Sequence, residues 1–272
     1  MSIKLSTIGG GVMGEALLSR LIAQKIYQPD EILVSEPQRH RCSVLAQQYG
    51  VQVTTDNNAV IEAQEVLLLA IKPQVFAAVA TELADFAAHK KGSENLVVVS
   101  ILAGVPLHKL EAAFPDRPVI RAMPNTPATV GAGITAIAAG KYVQNTHIDL
   151  ATRIFQAVGE VVQIPEYMMD AVTGLSGSGP GYVAILIEAL TDGGVYAGLP
   201  RPIAAKLALQ TVRGTAELLH ETSIHPAELK DRVTSPGGTT IAGIAQLEKS
   251  GFRSALIKAV KAAYERSKEL GN

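Results

Sequence analysis

The sequence predicts an α/β protein in which a parallel-sheet domain is followed by an all-α domain. Three observations lead there. Short apolar runs such as Val66–Ile71 and Val97–Leu102 alternate with segments of helical spacing through the first half of the chain. A glycine-rich loop, Gly9 to Gly14, stands between the first run and the first helical segment. Beyond Pro165 the strand signals stop, and the long segments that follow read as helices. Continuous apolar strands separated by helices imply a parallel sheet covered on both faces.

Taken in order, Ile3–Ile8 is an apolar run that ends at glycines, and Val12–Tyr27 carries Met13, Ala16, Leu17 and Leu21 at helical spacing. Ile32–Ser35 is the second strand, and Val44–Tyr49 belongs to the helix after it. Val66–Ile71, Val97–Leu102 and Val119–Ala122 read as strands buried on both faces, with Ile134–Ala139 a further candidate. Helices are expected over Tyr182–Gly198, Arg201–His220, Pro226–Val233, Thr239–Ser250 and Phe252–Leu270. Pro180, Pro202, Pro226 and Pro236 stand where first helical turns are expected, and proline is tolerated there. The change in composition near Ile164-Pro165 sets the expected boundary: residues 1–164 form the sheet domain and residues 165–272 the helical one.

Composition excludes several classes. With 24 Lys and Arg against 25 Asp and Glu, the net charge is −1, so the basic excess of a nucleic-acid binder is missing. Charged residues make up only 18% of the chain, against about 25% in an average soluble protein, which hints at oligomerisation. A single cysteine, Cys42, excludes an intramolecular disulfide framework. No apolar run approaches the roughly 18 residues of a membrane span, and the opening residues read as a strand rather than a leader. The six histidines are scattered without metal-ligand spacing, so no metal is expected. A cytoplasmic protein that binds neither nucleic acid nor membrane is therefore expected.

Gly9-Gly10-Gly11-Val12-Met13-Gly14 matches G-x-G-x-x-G, directly after a strand and at the opening of a helix. In a Rossmann-type domain the backbone of such a loop approaches a pyrophosphate, where a Cβ at Gly11 would be in the way. The anion faces the helix N-terminus, where free N–H groups and the helix dipole favour it. Gly9, Gly11, Val12, Met13 and Gly14 are therefore candidate cofactor residues; the alternative is a plain tight turn. At the end of the second strand Glu36 lies 22 residues past Gly14, near the usual place of the acid that binds a ribose 2′-hydroxyl, which favours NADH. Ser35, Arg39 and Arg41 could instead hold the 2′-phosphate of NADPH, so both cofactors stay open.

Four further segments share one resemblance: Ala70-Ile71-Lys72-Pro73-Gln74, Arg121 to Ala128 (Arg-Ala-Met-Pro-Asn-Thr-Pro-Ala), Leu175 to Pro180 (Leu-Ser-Gly-Ser-Gly-Pro) and Asp231 to Thr240 (Asp-Arg-Val-Thr-Ser-Pro-Gly-Gly-Thr-Thr). In this order, and in a chain of this length, they resemble the pyrroline-5-carboxylate reductase family from Ile3 to about Leu270. The resemblance implies a Rossmann domain, an all-α dimerisation domain, and an NADPH- or NADH-dependent reduction of a small cyclic imine, 1-pyrroline-5-carboxylate, to L-proline. It also implies a homodimer, in some members assembled into a decamer of five dimers. Asn57 joins the candidate cofactor residues and Val233 the candidate substrate residues on the same ground. Three positions depart from the family pattern: Val12 stands where Asn is frequent, and Gly14 and Gly181 stand where Ala is frequent. Loss of that Asn removes one side-chain contact to the cofactor.

These segments also have a physical reading. Lys72-Pro73-Gln74 follows a parallel strand at its C-terminal end, where ligands of α/β sheets collect. Pro73 restricts Lys72 to an extended shape, which turns the 71–74 backbone towards a ribose or nicotinamide and makes Ala70, Lys72 and Pro73 candidate cofactor residues; the alternative is a helix-starting proline beside a solvated lysine. Met123-Pro124-Asn125-Thr126-Pro127 is stiffened by two prolines. It is expected to line the nicotinamide pocket, with Asn125 and Thr126 as hydrogen-bonding groups; the alternative is that both merely satisfy nearby backbone. In Ser235–Thr240, Pro236 fits the first helical position with Ser235 as its cap. Gly237 and Gly238 let a ligand approach, and the N–H groups from Gly238 through Thr239 to Thr240 suit a substrate carboxylate. Thr240, one turn into that helix, is the candidate catalytic residue, orienting the ring nitrogen. An imine that arrives protonated needs no strong acid, which fits the lack of a Ser-His-Asp, Cys-His or paired-carboxylate arrangement.

Two other readings compete. A 3-hydroxy-acid or 6-phosphogluconate-type dehydrogenase would need a lysine in a G-x-x-x-K setting, and Lys206, Lys230 and Lys249 lack it. A non-catalytic NAD(P)-binding protein would need the glycine loop but not the glycines of Ser235–Thr240. The helices from Tyr182 onward carry apolar residues on more than one face, including Val183, Ile185, Leu186, Leu207 and Leu209. They are expected to interleave with a second copy, with the substrate site near that interface.

Overall fold

Apolar strands set the architecture. The computed structural model describes residues 2–84 and 96–271, so His89 lies outside the described residues. Strands β1 (Leu5–Ile8), β2 (Ile32–Ser35), β4 (Val66–Leu69) and β5 (Val97–Ser100) are buried at every position, as runs without a polar face must be. With β3 (Gln52–Thr54), β6 (Val119–Met123), β7 (Gly133–Ala139) and β8 (Gly159–Gln163) they form one sheet in the order β3-β2-β1-β4-β5-β6-β7-β8. Leu5 stands opposite Ile32 on one side and Val66 on the other. Successive residues of a strand point to opposite faces, so Leu67 and Val98 enter one apolar cluster while Leu68 and Val99 enter the other.

The expected parallel sheet holds from β3 across to β6. It fails at β7, which runs antiparallel to β6 with Ile120 opposite Ala139, and β8 then pairs parallel to β7. The reason is the short link from Met123 to Gly133, which holds only the 3₁₀ turn Thr126–Val130. A parallel return needs a crossover of about a dozen residues or more. The two strands without a counterpart in the sequence reading, β3 and β8, are the edges of the sheet, half-exposed and without a continuous apolar run.

Helices α1 (Val12–Ala23), α2 (Arg39–Tyr49), α3 (Phe76–Glu82), α4 (Leu107–Ala113) and α5 (Asn145–Gln156) cover the sheet. Helix α1 stops short of the expected Tyr27, because Lys25 turns left-handed (φ 57°) and the chain folds back. Tyr27 is buried and donates to Glu65 at 3.0 Å.

The chain divides into two compact units: residues up to 177 together with 262 onward, and residues 178–261. The residues between the expected boundary at 164/165 and Gly177 belong to the first of these units. After β8 the short helix α6 (Met169–Val172) still packs on the sheet, against β7, with Met169 fully buried in the apolar cluster that also holds Leu67 and Val98. Buried Arg121 of β6 draws the segment in, with Glu166 at 3.3 Å and Asp170 at 3.9 Å. Asp170 accepts from Ser267 at 2.7 Å, which brings the end of the last helix into the same unit. A guanidinium taken out of water needs such partners.

The second unit holds α7 (Gly179–Tyr196), α8 (Arg201–Thr222), α9 (Pro226–Arg232), α10 (Thr239–Lys249) and the first part of α11 (Phe252–Gly271). Pro180, Pro202 and Pro226 occupy first turns, as expected. Helices α7 and α8 pack closely where Gly194 meets Ala204.

Candidate active site

The strand order turns back between β1 and β4, so the connections after these strands leave in opposite directions and open a crevice at their C-terminal ends. The crevice has a volume of about 260 Å³ and is lined by Met13, Ala70, Ile71, Ile101, the Met123–Thr126 segment and Gly177.

The glycine loop forms one wall. Gly9 adopts φ 101°, and a Cβ there would stand 2.5 Å from the Ala70 carbonyl oxygen, so only glycine fits where the loop meets the end of β4. A Cβ on Gly14 would stand 2.6 Å from the Gly9 oxygen, which ties the first turn of α1 to the loop. A Cβ on Gly11 would meet nothing of the protein within 4 Å. The space over Gly11 is open, as a closely approaching ligand requires, and the packing demands fall on Gly9, Gly10 and Gly14. Gly11 is the N-cap of α1 and no side chain caps that end. The first N–H groups of the helix are thus available to an anion. Val12, which replaces the frequent Asn, is 71% exposed there.

At the end of β2, Glu36 is buried and accepts from the Gly10 N–H at 3.0 Å and from the Gln38 N–H at 3.1 Å. Ser35 donates its hydroxyl to Asn57 at 2.7 Å, and the Asn57 amide donates in turn to Glu82. Arg41 donates to the Gly10 oxygen at 2.8 Å and pairs with Glu15. The peptide of Gly10 is therefore held from both sides, and neither Gly10 nor this role of Arg41 stood out in the sequence, since both depend on contacts across the sheet. Burial pushes the Glu15 carboxyl up, but hydrogen bonds from Arg41 and Tyr49 outweigh it and hold the group below its ordinary range. Burial and the bond to Glu15 raise the Tyr49 phenol. The Arg39 guanidinium is exposed and takes no partner among the described residues.

Lys72 is extended (φ −73°, ψ 141°), as expected before Pro73, and its side chain is exposed beside the short turn Pro73–Val75. Asn125 is buried in the crevice wall. Its amide donates to the Ser176 oxygen at 3.1 Å and its carbonyl accepts from the Ile134 N–H at 3.0 Å. These two bonds fix the Met123–Thr126 wall and leave one amide hydrogen and one carbonyl lone pair of Asn125 outside them. Thr126 is exposed on the same wall.

In the second unit the Ser235–Thr240 segment departs from expectation in its cap. Helix α10 starts at Thr239 with Gly238 as N-cap, so Pro236 is not its first residue and Ser235 does not cap it. Instead the Gly238 N–H donates to the Ser235 oxygen at 3.0 Å, closing a turn in which Gly237 is left-handed (φ 68°). Proline followed by a left-handed glycine is the pattern of a type II turn, which outcompetes a helical start. Thr240 is the second residue of α10, in its first turn rather than one turn in, and is half-buried. No side chain caps this helix, so the open N–H groups belong to Thr239 and the residues after it. Val233 and Ser235 are exposed nearby in the chain, and Gly238 is half-buried. A Cβ on Gly181 would meet nothing within 4 Å, so the family's frequent Ala would fit there too.

An uncapped helix start behind a glycine loop, with open space over Gly11 and an adjoining crevice at the strand-order reversal, suits a dinucleotide. Fold and site together define a dinucleotide-binding oxidoreductase with a helical second unit. Comparison with known proteins narrows this. The pattern described as pyrroline-5-carboxylate reductase dimerisation matches residues 166–270, and that of NADP oxidoreductases, coenzyme F420-dependent, matches residues 4–104. A pyrroline-5-carboxylate reductase of Synechocystis sp. is 62% identical over 271 residues, covering 100% of this chain and 99% of its own. The solved structure of such a reductase from Coxiella burnetii superposes with a TM-score of 0.90 at 35% identity, covering 100% of both chains. That of Plasmodium falciparum pyrroline carboxylate reductase with NADP bound has a TM-score of 0.88 at 31% identity, covering 99% and 98%. The chain belongs to the pyrroline-5-carboxylate reductase family, whose members are NAD(P)H-dependent oxidoreductases. Membership sets aside the hydroxy-acid dehydrogenase and the non-catalytic readings.

Proposed function

We propose that this chain reduces 1-pyrroline-5-carboxylate to L-proline with NAD(P)H, in the cytoplasm, as a homodimer that can build a decamer of five dimers. The observation that carries the reading is a helix start in each unit whose N-cap is a glycine with no capping side chain, α1 at Gly11 and α10 at Gly238. A dinucleotide diphosphate and a substrate carboxylate are the two anions this reaction brings together. No helix among the described residues is long and apolar enough to cross a membrane.

In this reading the first turn of α1, with Gly11, Val12, Met13 and Gly14, holds the diphosphate. Ser35, Glu36, Arg39 and Asn57 surround the adenosine ribose. The backbone from Ala70 to Pro73 and the Met123–Thr126 wall flank the nicotinamide, and apolar Met13, Ile71 and Ile101 keep water out. NAD(P)H, when bound, supplies the hydride that reduces the imine carbon. The open N–H groups at the start of α10 hold the substrate carboxylate, with Val233, Ser235, Gly238 and Thr239 around it. The Thr240 hydroxyl orients the ring nitrogen; threonine is too weak an acid to be the main proton source, and a nitrogen that arrives protonated needs none. Positioning two bound reactants supplies much of the rate in such a reaction. Steady-state oxidation of NADPH and of NADH with 1-pyrroline-5-carboxylate is the test. Turnover with at least one is expected, and turnover with neither would overturn the proposal.

A further inference from the structure

We infer that Glu36 makes this chain select NADH over NADPH, by holding a fixed carboxylate where the 2′-phosphate of NADPH would have to sit. The inference rests on the dinucleotide reading of the crevice and goes beyond it to the choice between the two cofactors.

Four bonds fix this residue. Its N–H donates to the Thr54 oxygen at 3.0 Å, and its carbonyl accepts from the Cys42 thiol at 3.1 Å. One carboxylate oxygen accepts from the Gly10 N–H at 3.0 Å and the other from the Gln38 N–H at 3.1 Å. Only 8% of the residue is exposed. A surface carboxylate could swing into water to admit a phosphate; this one would have to release the glycine loop to do so. A carboxylate offers about four acceptor sites, and two are used here, so two remain for the hydroxyls of an unphosphorylated ribose. A 2′-phosphate offers acceptors and negative charge to a group that can only accept, and the low local dielectric strengthens the repulsion.

The groups that could answer with a phosphate site are mostly committed. Arg41 is held by the Gly10 oxygen and Glu15, and the Ser35 hydroxyl is donated to Asn57. Among the described residues of this edge Arg39 is the arginine whose guanidinium takes no partner, and its exposure lets water and salt screen it.

The test is direct titration of NADH and NADPH, followed by cofactor fluorescence without any imine, so that it reads cofactor choice separately from turnover. In the wild type the dissociation constant for NADH is expected to be at least tenfold below that for NADPH. Glu36→Gln keeps an acceptor for the Gly10 N–H while removing the charge, and is expected to narrow that ratio by tenfold or more. Competition by ADP against 2′,5′-ADP on the wild type keeps the question open to refutation even where the variant fails to fold, with ADP expected to bind more tightly. Equal or tighter wild-type binding of NADPH, tighter binding of 2′,5′-ADP, or an unchanged ratio in a folded Glu36→Gln would each overturn the inference.

Discussion

The two units treat their apolar residues in opposite ways. In the sheet unit, β1, β2, β4 and β5 are buried at every position, and helices close both faces. In the helical unit, the buried residues of α7 and α8 are Thr191, Ala204 and Ala208, while Ile185, Leu190, Ile203, Leu207 and Leu209 lie exposed. The first unit completes its own core. The second presents aliphatic side chains that a folded soluble chain rarely leaves to water in such number, over a stretch matched by a dimerisation family. This locates the shortage of charge noted in the composition: the surface that lacks it is one the homodimer proposal covers with a second copy.

Leu68→Ala, in the middle of the sheet unit, is expected to cost about 2–5 kcal/mol in urea unfolding. The same truncation at Leu207, exposed in a single chain, costs roughly 0.5 kcal/mol or less where no partner covers it. A larger cost that grows with protein concentration supports the dimer. Ile185→Asp addresses the same surface by mass: light scattering should show a smaller species, and an unchanged native mass would count against that surface as an interface. Gly9→Ala forces a side chain onto the Ala70 carbonyl and is expected to weaken NAD(P)H binding by about tenfold or more, for a strain of about 1–3 kcal/mol. Thr240→Ala removes one hydroxyl from the other unit. A fall in kcat/KM of about tenfold is expected, on the scale of a single hydrogen bond, with cofactor affinity unmoved; unchanged kinetics would remove Thr240 from the site. The smallest effect lies at Tyr27, whose phenol is raised above its ordinary 10.0 first by burial and then by the Glu65 charge. The stabilisation is therefore complete below about pH 10 and is lost as pH rises beyond it, because the unfolded chain gives up this proton first. Tyr27→Phe should flatten the alkaline limb of the stability profile, and an unaltered limb would show that other groups govern it.

Much of the sheet unit was legible as sequence, because each buried central strand is a local apolar run. The second strand was expected at Ile32–Ser35 and found there, and the glycine loop stands between β1 and α1 as its spacing required. The edge strands β3 and β8 were not legible: each is half in water and its residues alternate too weakly to distinguish from loop. Ser235-Pro236 looked like a helical cap and start, but a left-handed Gly237 draws the same residues into a turn. The partners of Asn125, Ser176 and Ile134, were not legible either: they come from elsewhere in the chain, and a polar residue between two prolines offers no sign of them.

The sequence by itself determined a buried sheet, a glycine loop ahead of a helix, a helical second half with apolar residues left over, and the family resemblance. Each depends on residues close together in the chain, where periodicity and turn chemistry act. Only the tertiary structure decided the antiparallel return of β7, the early residues of the helical half that stay with the sheet, and the four bonds that hold Glu36 in place. Those are pairings between distant residues, fixed by which buried polar groups find partners once the core has closed.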